Sequence, residues 1–202
     1  MDIYVINLER RPDRLLKFQN QAKLAGVKAK IMNAVDGKSL STRDFWIEKY
    51  YNLVEKRYLK KGEIGSYISH YNCFEDSTTN KVMVFEDDAK LPMGFWYSYN
   101  EVCKTLPSDF DIALLGTTKL WQRKYKEKCE LIWENDLWAK YSGDIYGLQA
   151  YVITRKAINH LQDCKYPIDS PNDIKFNNVG LNVYILKKDL VTTNRLGSDA
   201  QH

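Results

Sequence analysis

The sequence predicts an α/β fold, a mostly parallel sheet covered by helices, in a single domain over residues 1–202. Three observations predict it. Short apolar runs recur without Gly or Pro, the clearest being Val82, Met83, Val84 and Phe85; runs so short and β-prone read as strands buried on both faces. Between them lie stretches with apolar residues at helical spacing. The runs end in charged or glycine-bearing loops, and the carboxyl ends of strands are where ligands of open α/β sheets gather.

The acidic run is KVMVFEDD, residues 81–88, and its apolar part gives way to Glu86, Asp87 and Asp88. Side chains alternate along a strand, so Glu86 and Asp88 point to one side and Asp87 to the other. Two carboxylates about 4 Å apart repel by roughly 4 kcal/mol at an effective dielectric near 20. A hard divalent cation removes that repulsion, and Mg²⁺ or Mn²⁺ is commonly held by one or two carboxylates plus phosphate oxygens. The competing reading is local: Asp87 or Asp88 caps the next turn while the others are solvated.

From the start, residues 3–8 (IYVINL) form a first strand that runs into a loop and helix with Arg10, Arg11 and Arg14. Arginine forks suit phosphate, a solvated charged turn being the alternative. Asp13 is placed as N-cap of a helix over 14–25, with Leu15, Phe18, Ala22 and Ala25 in register and Gly26 closing it. Residues 28–34 predict the next strand, followed by Asp36-Gly37. Asp-Gly is a turn signal, and an acidic residue after a strand can also hold ribose hydroxyls. The polar, aromatic stretch 39–60 reads as one or two helices over a loop.

Residues 62–76 predict a helix with Gly65, Ser69 and Cys73 on a small face and Ser66 stacked with His70. Small residues permit close approach of a backbone or a ligand; His70 can serve a phosphate or a proton, or act as a structural donor. A helix over 95–106 follows a Pro-Gly break, then a buried strand over 110–115 ending at Gly116, where a ligand could near the backbone. Residues 119–141 mix Trp121, Trp133, Trp138, Tyr125 and Tyr141 with basic residues. They read as a sugar-stacking or bilayer-resting surface, or as a hairpin with aromatics packed inward. A strand over 147–153 and a helix over 155–164 precede a Pro-framed loop with Asp169 and Asp173, a general base, a hydroxyl binder or turn residues. Strand candidates at 183–186 and 190–193 close the chain.

At 44% hydrophobic the chain can bury a core. Its formal charge of +4 is compatible with an anionic nucleotide or surface and too weak to argue for nucleic acid. Cys73, Cys103, Cys129 and Cys164 lie far apart, so neither a zinc site nor a disulfide framework is indicated. No stretch reads as a signal peptide or as a membrane span. The chain reads as cytoplasmic, with 119–141 its candidate for peripheral contact with a membrane.

INLERRPDR, NAVDG, GEIGSYISH, VMVFEDDAKL, ALLG and YVITRKAINHL with PID after it follow one another across nearly the whole chain. Together they resemble glycosyltransferase family 25, the group of lipooligosaccharide galactosyltransferases that includes the collagen galactosyltransferase domain. The resemblance implies a single Rossmann-like GT-A domain with a carboxylate motif for Mn²⁺ or Mg²⁺. It implies inverting transfer of a hexose, galactose or glucose, from a UDP-sugar donor to a hydroxyl of a glycan or glycolipid acceptor. By position, Glu86 and Asp88 would ligate the metal, and Glu86 and Asp87 would meet the nucleotide sugar. Asn7, Arg10, Arg11, Arg14, Asp36 and Gly37 would line the nucleotide pocket, with Gly65, Ser69 and His70 from the central helix. Asp169 is the first choice for general base and Asp173 the second. Arg195, Ser198 and Asp199 match the family's tail; Ser66 stands where the family has a small residue or cysteine. A catalytically silent carbohydrate-binding protein of the same fold is the alternative.

Overall fold

The computed structural model describes residues 1–41, 51–52, 57–117 and 129–193. In chain order the elements are β1 (Asp2–Asn7), α1 (Pro12–Ala25), β2 (Lys30–Asn33), β3 (Tyr51–Asn52), β4 (Arg57–Tyr58), α2 (Lys61–Asp76), β5 (Lys81–Glu86), β6 (Ala89–Lys90), α3 (Phe95–Cys103) and β7 (Ile112–Gly116). There follow β8 (Glu130–Glu134), β9 (Trp138–Ser142), β10 (Ala150–Thr154), α4 (Arg155–Asp163), α5 (Asn172–Asn178), β11 (Val183–Leu186) and β12 (Thr192–Thr193).

An eight-stranded sheet in the order β2-β1-β5-β10-β7-β11-β9-β8 carries the fold. β1 pairs in parallel with both β2 and β5, and β7 pairs in parallel with β11. β10 runs antiparallel between β5 and β7, so the sheet is mixed at its centre. The strands alternate as period two demands. Tyr4, Val82 and Val84 join the core under α2 and α4, while Val5, Met83 and Phe85 join the core under α1 and α3. Burial of β5 on both faces follows: Val82 to Phe85 are fully covered.

Several boundaries differ from expectation. Arg11, with Pro12 behind it, caps α1, and Asp13 falls inside the first turn; proline's fixed φ suits the first helical position. Gly26 closes α1 at φ 68°, as the sequence predicts. Within 39–60, residues 51–52 and 57–58 pair as a small antiparallel hairpin rather than a helix; residues 42–50 and 53–56 lie outside the described residues. In 119–141 the hairpin reading holds for β8 and β9, with Trp138 fully buried. Leu131, Ile132 and Trp133 stay exposed on β8, while Trp121 and Tyr125 lie outside the described residues, as do Arg195, Ser198 and Asp199. At Gly116 the close neighbour is the Val191 carbonyl, so the chain itself takes the space expected for a ligand. Among the described residues no helix is long and apolar enough to cross a membrane, and all four cysteines are free.

One contact sets the position of α2. A Cβ on Gly65 would stand 2.5 Å from the Val35 carbonyl oxygen and 3.0 Å from the Gly37 nitrogen, and one on Gly37 would collide with the Lys61 and Gly62 backbone. Ser69 tightens the same seam: its Oγ accepts from the Val35 amide at 2.8 Å and donates to the Gly65 carbonyl at 2.6 Å. Backbone thus presses on backbone, leaving no room to relax. Gly65→Ala is expected to destabilise by about 1–3 kcal/mol, although alanine is intrinsically the better helix former by about 1 kcal/mol. Thermal denaturation should show a drop of several degrees; an unchanged melting temperature would show that helix and turn are not pressed together.

Candidate functional site

β1 and β5 run side by side in parallel, with Ile6 opposite Glu86, and their carboxyl ends open together. With the turn after β2 and the first turns of α2 they bound a cleft. Arg10, Arg14 and Lys38 make one wall basic, Ser66 and His70 rise from α2, and Glu86, Asp87 and Asp88 form the acidic wall.

The three carboxylates have three different fates. Asp87 is buried and points toward α1, where Arg14 Nη1 donates to it at 3.0 Å and Asn7 Nδ2 at 2.7 Å. Burial pushes its carboxyl up, against the pull of Arg14 and Asn7. Glu86 faces the other way, toward α2, with its Oε1 at 3.6 Å from His70 Nε2. His70 is itself buried, its Nδ1 at 2.8 Å from the Tyr151 hydroxyl. Asp88 has a buried Oδ1 with no hydrogen-bond partner among the described residues. Burial, then the charges of Glu86 and Asp87, push its carboxyl up to about 7.

The other expected site residues divide. Asp36 sits at the rim, accepting from Arg10 Nε at 2.6 Å and from the Lys38 amide at 3.0 Å. The Arg10 hydrogen bond holds its carboxyl below the ordinary range. Gly37 and Ser69 line the cleft, but their contacts, like those of Gly65, serve the seam between α2 and the turn. Asn7 and Arg11 do not line it: Asn7 lies behind Asp87, and Arg11 Nε is held by Asp13 at 3.0 Å. Both were expected in the nucleotide pocket, and both instead fix the loop that shapes it; Asn7 Nδ2 also donates to the Arg11 carbonyl at 3.1 Å.

Neither late aspartate lines the cleft. Asp169 Oδ1 accepts from Lys175 Nζ at 3.0 Å and Ser170 Oγ at 3.2 Å. Asp173 accepts from the backbone amides of Gly147 at 3.1 Å and Ile174 at 3.0 Å. Burial pushes Asp173 up to about 6, and the Glu86 charge adds to the rise. Sequence reasoning passed over Lys38 and Tyr151. Lys38 directly follows the Asp36-Gly37 turn, and nothing in that position marks it from other surface lysines. Tyr151 is hidden in an apolar strand where a tyrosine signals only packing.

The acidic wall fits a divalent cation. A buried carboxyl oxygen lacks a partner, and two like charges stand beside it. Among the described residues no three His, Cys, Asp or Glu side chains converge as a metal cluster. The donors from the chain would be Glu86 and Asp88, with phosphate and water completing the shell.

Comparison with known proteins gives a consistent result. The profile described as "Glycosyltransferase family 25 (LPS biosynthesis protein)" matches residues 1–176. Human procollagen galactosyltransferase 2 is 28% identical over 172 residues, covering 79% of this chain and 27% of that protein. Human "Inactive glycosyltransferase 25 family member 3" is 31% identical over 103 residues, covering 46% of this chain and 17% of that protein. The chain therefore spans less than a third of the curated relatives it matches most broadly. The crystal structure of the galactosyltransferase LgtC with donor and acceptor sugar analogues aligns with a TM-score of 0.50 at 14% identity, over 92% of this chain and 73% of that one. That likeness supports the GT-A type of fold.

The raised carboxyls set the pH response of the cation-free protein. Asp88 at about 7 and Asp173 at about 6 bind protons more tightly folded than unfolded, where 3.8 is the ordinary value. Stability from these groups is full in acid and is lost as pH rises through that window. Chelator-treated protein should be less stable at about pH 7.5 than at about pH 5, by on the order of 2 kcal/mol because the two shifts are not additive. Melting curves should show the slope, and Asp88→Asn should flatten it; a wild-type slope of opposite sign would overturn the assignment.

Proposed function

The chain belongs to glycosyltransferase family 25, and from that premise we propose that it transfers a hexose, galactose or glucose, from a UDP-sugar to a hydroxyl of a glycan or glycolipid, with inversion and with Mn²⁺ or Mg²⁺. The observation that carries the reading is Asp88: a carboxyl just past a strand's carboxyl end, with one buried oxygen unpartnered, in a cleft that Arg10 and Lys38 also line.

A divalent cation held by Glu86 and Asp88 would supply positive charge where the diphosphate departs. The chain's own residues do the rest. Lys38 and Arg10 offer donors to phosphate from the rim, where a charge-assisted hydrogen bond is strongest. Arg14 and Asn7 hold Asp87 so that the loop cannot splay. Inverting transfer needs one base and no covalent intermediate. Asp173 suits that role better than Asp169. A carboxyl at about 6 can accept a proton near neutral pH, and burial supplies the shift. Asp169 Oδ1 is already engaged by Lys175 Nζ at 3.0 Å and by Ser170 Oγ at 3.2 Å.

A second reading keeps the fold without the chemistry, and the human relative named inactive favours it. Assays with a panel of UDP-sugars, with Mn²⁺ and with EDTA, separate the two. The transferase reading expects turnover with Mn²⁺ and none with EDTA; sugar binding without turnover under every condition would leave the silent reading standing. Within the transferase reading, Asp88→Asn should cost about 10²-fold or more in turnover while still unfolding cooperatively, on the scale of removing one preorganised electrostatic group. Asp173→Asn should lose more activity than Asp169→Asn; the reverse order would return the base to Asp169.

A further inference from the structure

We propose that Tyr151 and His70 are positioning residues: the Tyr151 hydroxyl fixes the His70 tautomer so that His70 Nε2–H holds the Glu86 carboxylate toward the cleft. The inference deepens the transferase reading above and rests on it for its functional meaning, but its chemistry stands on two distances and two burial values. Tyr151 lies on β10, His70 on α2 and Glu86 at the end of β5, so the relay crosses from the sheet's antiparallel strand to its acidic one.

The tautomer follows from counting protons. Tyr151 and His70 are at 0% and 1% exposure, so water cannot supply a missing partner. The phenol's hydrogen bond is with His70 Nδ1 at 2.8 Å, and among the described residues no other is found for it. Were Nδ1 to donate, the phenol's own proton would be left without an acceptor, at a cost of about 1–3 kcal/mol. The bare Nε2 lone pair would then face the Glu86 carboxylate, 3.6 Å away. With the phenol donating to Nδ1, the phenol proton has its acceptor, and the imidazole proton sits on Nε2, turned toward Glu86 Oε1 at 3.6 Å, an electrostatic contact longer than a hydrogen bond. Burial pushes the Tyr151 hydroxyl well above its ordinary range, so it keeps its proton at any working pH.

The consequence concerns Glu86. Its side chain is 37% exposed, against 9% for Asp87, and turns about three torsions. A buried imidazole locked from behind restrains it. Groups of this kind, one step removed from a metal ligand, typically account for about 10–100-fold in metal affinity.

The test has two readouts. In ¹⁵N-histidine-labelled protein, NMR should report the Nε2–H tautomer at His70, and Tyr151→Phe should shift it toward a mixture; a dominant Nδ1–H form in the wild type would overturn the proposal. Mn²⁺ affinity, measured by calorimetry without donor or acceptor, should fall about 10–100-fold in His70→Phe and about 3–10-fold in Tyr151→Phe. His70→Gln, whose amide places an N–H near the Nε2 position, should recover most of the loss. Equal Mn²⁺ affinity in all four proteins would overturn it. Should His70→Phe fail to fold, Tyr151→Phe and His70→Gln decide. If the wild type binds no Mn²⁺, the metal assignment of the preceding section fails, while the tautomer spectrum still passes judgement on the relay.

Discussion

Three carboxylates at the end of one buried strand cannot all be ionised without partners, and the molecule is arranged around that constraint. The strand supplies the first part of the answer by sending successive side chains to opposite faces. Asp87 goes to the α1 face and meets Arg14 and Asn7. Glu86 goes to the α2 face and meets His70. Asp88, beyond the strand, is left with a desolvated oxygen and a carboxyl raised to about 7. The Asp87 charge is matched by Arg14, Glu86 faces an imidazole, and Asp88 is held in reserve, which is the condition a ligand can satisfy.

The Asp87–Arg14 pair is more than an ornament of the site. Both side chains are under 10% exposed, at 9% and 7%. A buried pair is weak evidence for stability, because desolvation can offset the attraction. Its role here is geometric. Arg14 belongs to α1, Asn7 to the end of β1 and Asp87 to the turn after β5, so one carboxylate ties the first loop to the acidic loop. That explains why the opening motif and the acidic motif, 73 residues apart between Arg14 and Asp87, read as parts of one site.

Much of this was legible in the sequence, and the failures have physical reasons. The apolar runs of β1, β5 and β7 were visible because those strands are covered on both faces, and the helical stripes of α1 and α2 because each helix buries one periodic face. Glu86 and Asp87 pointing apart was visible from alternation. What could not be read was which polar residue spends its bonding capacity inside the protein. Asn7 and Arg11 look like pocket residues by their place in a loop, yet a loop must satisfy its own backbone before it can serve a ligand. Gly65 and Ser69 look like a ligand-facing stripe, but small residues leave room for whatever comes nearest, and here that is the Val35–Gly37 backbone. The antiparallel insertion of β10 was hidden for a related reason: an apolar run states that a strand is buried and says nothing of its direction.

That insertion has a functional side. Parallel strands need long crossovers, whereas an antiparallel strand can enter beside a neighbour running the other way. Placing β10 against β5 brings Tyr151 opposite Val84, two residues before Glu86. A parallel strand in the same slot would have to be fed by its own crossover segment, across the face where α2 now rests. The mixed sheet therefore lets one strand reach the acidic end of another while a helix still covers both. Because Tyr151, His70 and the Glu86 end of β5 are all anchored in the same core, the geometry of the acidic wall is set by packing that forms on folding. A ligand would find Asp87 already held by Arg14 and Asn7, with Glu86 and Asp88 left to engage.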